Sequence, residues 1–258
     1  MLALLIAGCA TFGLAIGSFL NVVIYRVPQH LSIVTPRSAC PNCHAPILER
    51  DNIPVVSWLL LKGRCRQCHN PISKRYPLVE LACAALFGGA AAKFGFNWDL
   101  PAFLVLLASL LALASIDFER MLLPKLIVWP SVALVGTLLV LASALDHRWH
   151  DLLVAGICAA AWFLLFFALN LASPRYLGFG DVRLAPLLGL SLGWLGWEYV
   201  LLGFFVANLA GALVGVTLIA MKRMKRDQQI PYGVFLAFGT AFAIFTGSAL
   251  LAPFHSLH

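Results

Sequence analysis

The sequence predicts an all-α polytopic membrane protein of about eight transmembrane helices, with one small polar module between the first and the second. Three observations predict it. The 258 residues are 61% hydrophobic and only 11% charged, where a soluble domain carries roughly 25% charged residues. The apolar residues fall into runs near the about 20 residues a helix needs to cross the hydrocarbon core. A single polar segment, 26–76, interrupts them and holds four of the seven cysteines.

The first span covers about 2–25. Within it Ile6-Ala7-Gly8-Cys9 resembles a lipoprotein cleavage box, but no Lys or Arg precedes it and the apolar stretch before Cys9 is short. A signal peptide has a basic start, so this is read as an uncleaved helix with Cys9 a packing residue. The remaining spans are expected at about 77–96, 100–116, 126–145, 152–172, 184–197, 199–221 and 232–252. The sixth is short, rich in Gly and contains Pro186. That composition predicts a broken or tilted helix beside a cavity rather than one bathed in lipid. The domains are therefore 1–25, a first transmembrane helix; 26–76, the polar module; and 77–258, a seven-helix membrane domain.

The net charge of +7 in such a chain does not point to nucleic acid. It reflects basic loops retained in the cytoplasm. With the polar segment inside, sixteen of the eighteen Lys and Arg residues share its side, and only Lys93 and Arg148 fall opposite. Both termini then lie outside. The cluster at 222–226 is an orientation anchor, and Trp129, Trp149, Trp194 and Trp197 fit interfacial belts.

The module carries two C-x-x-C knuckles. Cys40-Pro-Asn-Cys43-His44-Ala45-Pro46-Ile47 matches Cys65-Arg-Gln-Cys68-His69-Asn70-Pro71-Ile72 at five of eight positions. Two similar knuckles giving two thiolates each form the donor set of a tetrahedral structural zinc site. A segment of this size has little core of its own, and a metal stabilises it. Cys40, Cys43, Cys65 and Cys68 are thus the predicted ligands of a cytoplasmic zinc-binding module. Iron suits the same ligands. Two disulfides conflict with a reducing cytoplasm. Each knuckle also reads C-x-x-C-H, the c-type haem attachment signature, which makes a membrane-anchored electron-transfer protein an alternative. His44 and His69 are otherwise surface residues or neighbours of the ligands, and Cys83 and Cys158 are packing residues.

Asp117 ends the third span and Asp181 opens the sixth, in Leu177-Gly178-Phe179-Gly180-Asp181. A carboxylate at such depth costs about 2.5–3.5 kcal/mol on insertion scales, so each is a functional candidate. The charge count puts both at the cytoplasmic face. Two nearby carboxylates titrate as a unit and share a proton. One can take a proton from water while the other polarises a peptide carbonyl, as in aspartic proteases. Gly178 and Gly180 allow an extended substrate to approach the backbone closely. The same pair suits a proton or cation relay in a transporter, or a structural role opposite Arg120 or Arg183.

Several motifs in order bear on the choice. They are Gly17-Ser-Phe-Leu-Asn21-Val-Val-Ile-Tyr-Arg26-Val-Pro28, both knuckles, Asp51-Asn-Ile-Pro54-Val-Val-Ser57-Trp58-Leu59 between them, and Arg75-Tyr-Pro77-Leu-Val-Glu80-Leu. Asp117 with Leu123-Pro124 follows, then Gly178-Phe-Gly180-Asp181-Val-Arg183-Leu184 and Ile230-Pro231-Tyr232-Gly233. Nearly end to end, the chain resembles the type IV prepilin leader peptidases, polytopic aspartic proteases with a Gly-x-Gly-Asp motif. The resemblance implies an enzyme of the bacterial inner membrane that cuts the basic leader from prepilins or secretion pseudopilins at the cytoplasmic face. It implies Asp117 and Asp181 as the catalytic pair and the four cysteines as metal ligands. It further implies methylation of the new N-terminus with S-adenosylmethionine. The chain shows no Rossmann-type G-x-G-x-x-G, so that cofactor would bind in a site of another kind. The sequence singles out neither one pilin-like substrate nor an oligomeric state.

Three positions depart from the family pattern: Lys125 stands where Asp is common, Arg183 where Lys is common, and Val234 where Pro is common. Glu80 and Asn21 either line the site or make helix-end interactions, and Glu119 is expected to be solvated.

Overall fold

The computed structural model describes residues 1–174, 177–223 and 230–255. Arg175 and the 225–226 part of the basic cluster lie outside them. Nine α-helices follow among the described residues: α1 (Leu2–Arg26), α2 (Val56–Leu60), α3 (Arg75–Phe94), α4 (Leu100–Arg120), α5 (Lys125–Asp146), α6 (Trp149–Ala172), α7 (Phe179–Gly193), α8 (Trp197–Ala220) and α9 (Tyr232–His255). All but α2 and α7 are long and apolar enough to cross a membrane. The protein is an all-α polytopic membrane protein.

The helix ends follow local chemistry. Pro101 opens α4, and Pro124, extended at ψ 126°, precedes α5. Residues in the left-handed region, Met121 and His147, close those two helices. Inside the spans, hydroxyls are satisfied by the carbonyl one turn back, as for Ser109, Ser131, Ser143 and Ser191. Ser131 Oγ also lies 2.7 Å from Ser109 Oγ and ties α5 to α4.

The chain forms two compact units, Met1–Phe96 and Asn97–His258. In the first, α1 packs on α3 through Gly13 and Gly17. A Cβ on Gly17 would stand 2.7 Å from the Cα of Glu80, and one on Gly13 would stand 2.8 Å from the Cα of Ala84. Small residues four apart let two helices approach this closely, and dispersion then replaces the missing hydrophobic drive.

In the second unit, α7 is the inner helix. It has 15 residues, a length of about 22 Å at 1.5 Å per residue, short of a hydrocarbon core about 30 Å thick. Most of its residues are buried. Gly189 and Gly193 lie against Ala155, Cys158 and Ala159 of α6, and α8 and α9 cross at Gly203 and Gly239. The expected sixth span of 184–197 is displaced toward the N-terminus. The glycines of Gly178-Phe179-Gly180 do not delay the helix, because Gly178 is its N-cap and Asp181 lies in its first turn, where an acidic side chain is favoured. Trp194 is corrected too: it is 1% exposed and lies inside the bundle, whereas Trp129, Trp149 and Trp197 are exposed.

Candidate active site and metal centre

Asp117 sits one turn before the end of α4 and Asp181 in the first turn of α7. They are 5% and 8% exposed. The carboxylate of Asp181 turns back on its own helix start: a Cβ on Gly178 would stand 3.5 Å from Oδ2. Asp117 is met from a third direction. The Val234 amide in the first turn of α9 donates to Asp117 Oδ2 at 3.3 Å. A Cβ on Gly233 would stand 2.8 Å from the same oxygen.

Leu123 joins these elements. Built Cβ atoms on Gly180 and on Gly233 would each stand 3.1 Å from it, so its side chain fills the space between the starts of α7 and α9. Tyr232 donates its hydroxyl to Asn208 Oδ1 at 3.2 Å, linking α9 to α8 beside the pair. Leu123 and Gly233 are motif residues to which sequence reasoning gave no role. Their signal was their place in recurring segments, and their function is to let backbone and apolar surface close on the carboxylates. Among the described residues neither aspartate forms an ion pair with Arg120 or Arg183. The Arg183 guanidinium instead lies over the Phe179 ring at 4.8 Å. Lys125 is exposed.

In the first unit the two knuckles are structural copies. Cys40 N–H donates to Ala45 O and His44 N–H to Cys40 O, both at 2.9 Å; Cys65 to Asn70 and His69 to Cys65 repeat this at 2.9 and 3.0 Å. His44 and His69 share a left-handed φ of 56°. The sulfurs converge: Cys40 and Cys68 are 3.8 Å apart, Cys43 and Cys65 4.0 Å, and all four lie within 4.8 Å of one another. A tetrahedral zinc with bonds of about 2.3 Å needs sulfurs about 3.8 Å apart, so the four cysteines fit one metal ion. Amides of Cys43 and Asn42 pull the Cys40 thiol down to about 6, and those of Cys68 and Gln67 lower Cys65. At Cys68 the Asn70 amide pulls down, but burial and the neighbouring sulfurs outweigh it and push the thiol up to about 11.

Asp51, between the knuckles, takes a two-pronged grip from Arg66 of the second, Nη2 to Oδ1 at 2.6 Å and Nε to Oδ2 at 2.9 Å. The guanidinium holds the Asp51 carboxyl below its usual range. Gly63 has φ 66°, and a Cβ there would stand 2.8 Å from the Trp58 ring; Trp58 in turn donates to Ile72 O at 3.3 Å. Glu80, buried on α3, accepts the Val55 amide at 2.7 Å. Val55 has φ 60°, an outlier for a β-branched residue, and this bond anchors it. Asn21 donates to Gly17 O at 3.3 Å and Tyr76 O at 3.1 Å. Both polar residues thus fasten helices and the inter-knuckle segment within their unit.

Fold and site define an integral membrane protein with a four-cysteine cluster that fits one metal ion and two buried aspartates at helix ends. Two family models match the chain: the bacterial peptidase A24 N-terminal domain over residues 11–94 and the type IV leader peptidase family over 104–216. The chain is similar to proteins named prepilin leader peptidase/N-methyltransferase. That of Stutzerimonas stutzeri is 34% identical over 95% of this chain and 92% of its own length. Those of Aeromonas hydrophila (35%, 93% and 90%) and Myxococcus xanthus (40%, 86% and 67%) are also similar. No solved structure matches. The chain belongs to the type IV leader peptidase family and is a membrane peptidase.

Proposed function

We propose that the protein removes the basic leader of type IV prepilins or pilin-like pseudopilins at the cytoplasmic face of the bacterial inner membrane, with Asp117 and Asp181 as catalytic residues. The single observation that carries this reading is the pair of buried carboxylates at the end of α4 and the start of α7, gathered around Leu123, in a family of leader peptidases. One carboxylate takes a proton from water, and the oxygen of that water attacks the scissile carbonyl carbon. The other, protonated, donates to the carbonyl oxygen as it gains charge. Collapse of the tetrahedral intermediate breaks the C–N bond, and the departing amine takes the proton from the first carboxyl. Gly178 leaves the backbone beside Asp181 open to an extended peptide, and Gly180 makes room for Leu123.

The distribution of basic residues supports the cytoplasmic orientation of the pair and of segment 26–76. In that segment Cys40, Cys43, Cys65 and Cys68 hold a structural zinc ion, and residues 77–258 form the protease domain. Sulfurs meeting at one point suit one ion better than two separately attached haems. Methyl transfer to the new N-terminus is carried over from the names of relatives. No described residues of this chain mark a site for S-adenosylmethionine, and no step is derived through it.

The test is incubation of the purified protein with a pilin-like precursor, reading the N-terminal mass with and without S-adenosylmethionine. Leader loss that needs both aspartates supports the reading. Ion flux in liposomes without cleavage would replace it with the transporter.

A further inference from the structure

We propose that the backbone amide of Val234 is a positioning group for Asp117, making the first turn of α9 a third wall of the catalytic pair. The inference rests on the reading of Asp117 and Asp181 as that pair. The Val234 N–H donates to Asp117 Oδ2 at 3.3 Å across 117 residues of sequence. Gly233 leaves this approach clear, because a Cβ there would stand 2.8 Å from the same oxygen. Amides in a first helical turn have no acceptor within their own helix, so this donor is available. The helix dipole there also favours negative charge. Leu123, packed on Gly180 and Gly233, holds the starts of α7 and α9 at fixed separation.

The consequence is a division of labour. Asp181 leans on the start of its own helix at Gly178, while Asp117, at the end of α4, borrows the start of α9. One oxygen of Asp117 is occupied by the amide, which fixes the plane of the carboxylate and directs its other oxygen to water or substrate. Proline has no N–H, so a proline at 234 lacks this donor, and loss of the contact slows the reaction without stopping it.

Val234→Pro deletes the donor at a position in the first turn where proline is tolerated. Val234→Ala trims the side chain and keeps the amide. Steady-state cleavage of a pilin-like precursor by full-length protein is expected to show kcat about fivefold lower for Val234→Pro than for Val234→Ala, at equal KM, a loss within the range of one typical hydrogen bond. Equal kcat in the two variants, or a difference confined to KM, overturns the proposal. Asp117→Asn is run in parallel. If it still cleaves, the catalytic pair itself is wrong; if it is inactive while the two Val234 variants match, only the positioning role fails.

Discussion

Asp99 and Trp194 meet at the end of α7 opposite Asp181: the indole Nε1 donates to Asp99 Oδ2 at 3.2 Å. Arg148 reaches the same oxygen at 3.2 Å and lies 4.5 Å over the Trp194 ring. The three residues fasten α4, α6 and the exit of α7 to one another. Trp194→Phe keeps an aromatic ring and removes the donor. It should cost about 0.5–1.5 kcal/mol, the net worth of one hydrogen bond, because Arg148 still serves the same oxygen. A lower unfolding temperature in detergent, with cleavage retained in the cold, is the expected result.

The aspartates are separable from the fold. Asp117→Asn and Asp181→Asn preserve shape and remove acid–base capacity, so each should abolish leader removal while the protein still inserts. Immunoblots of membranes and of precursor processing decide this. Processing retained in either variant would rule out the two-carboxylate mechanism.

Metal content tests the module. Wild-type protein should carry about one zinc ion per chain by elemental analysis, as expected for a structural site of four thiolates. Replacing Cys40 and Cys43 by Ser should remove it, and proteolysis within 26–76 should then accelerate, because metal binding is coupled to folding in modules of this size. Covalent haem would point instead to electron transfer.

Gly189 has no room for a side chain: a Cβ would stand 2.6 Å from Cys158 O and 2.8 Å from the Cα of Ala159. Gly189→Val should force α7 off α6, at about 1–3 kcal/mol or more for overpacking, and move Asp181 without touching it. The expected result is loss of cleavage with both carboxylates intact; wild-type rates would mean that α7 tolerates displacement.

Much of this is legible in the sequence because it is local. The spans follow from apolar length, and the knuckles from a repeat whose two copies fold alike. What escapes the sequence is non-local or contextual. The position of α7 escapes because Gly178 and Gly180 read as backbone for an extended substrate, when a glycine N-cap followed by an acid in the first turn starts a helix. Trp194 reads as an interfacial residue because amphipathic rings favour that depth; its partner Asp99 is 95 residues away. Val234 stands out only as a departure from a pattern. Its amide, invisible in any side-chain code, is what reaches Asp117.

On the proposed mechanism the shortness of α7 makes the bilayer itself a variable of the reaction. A buried helix of 15 residues among longer spans should let water and a peptide reach the carboxylates through less hydrocarbon than a full-length span would. Lipids with longer acyl chains would deepen the covering over that helix. Turnover should then fall with membrane thickness, so that the host's lipid composition, as well as the substrate's sequence, sets the rate of processing.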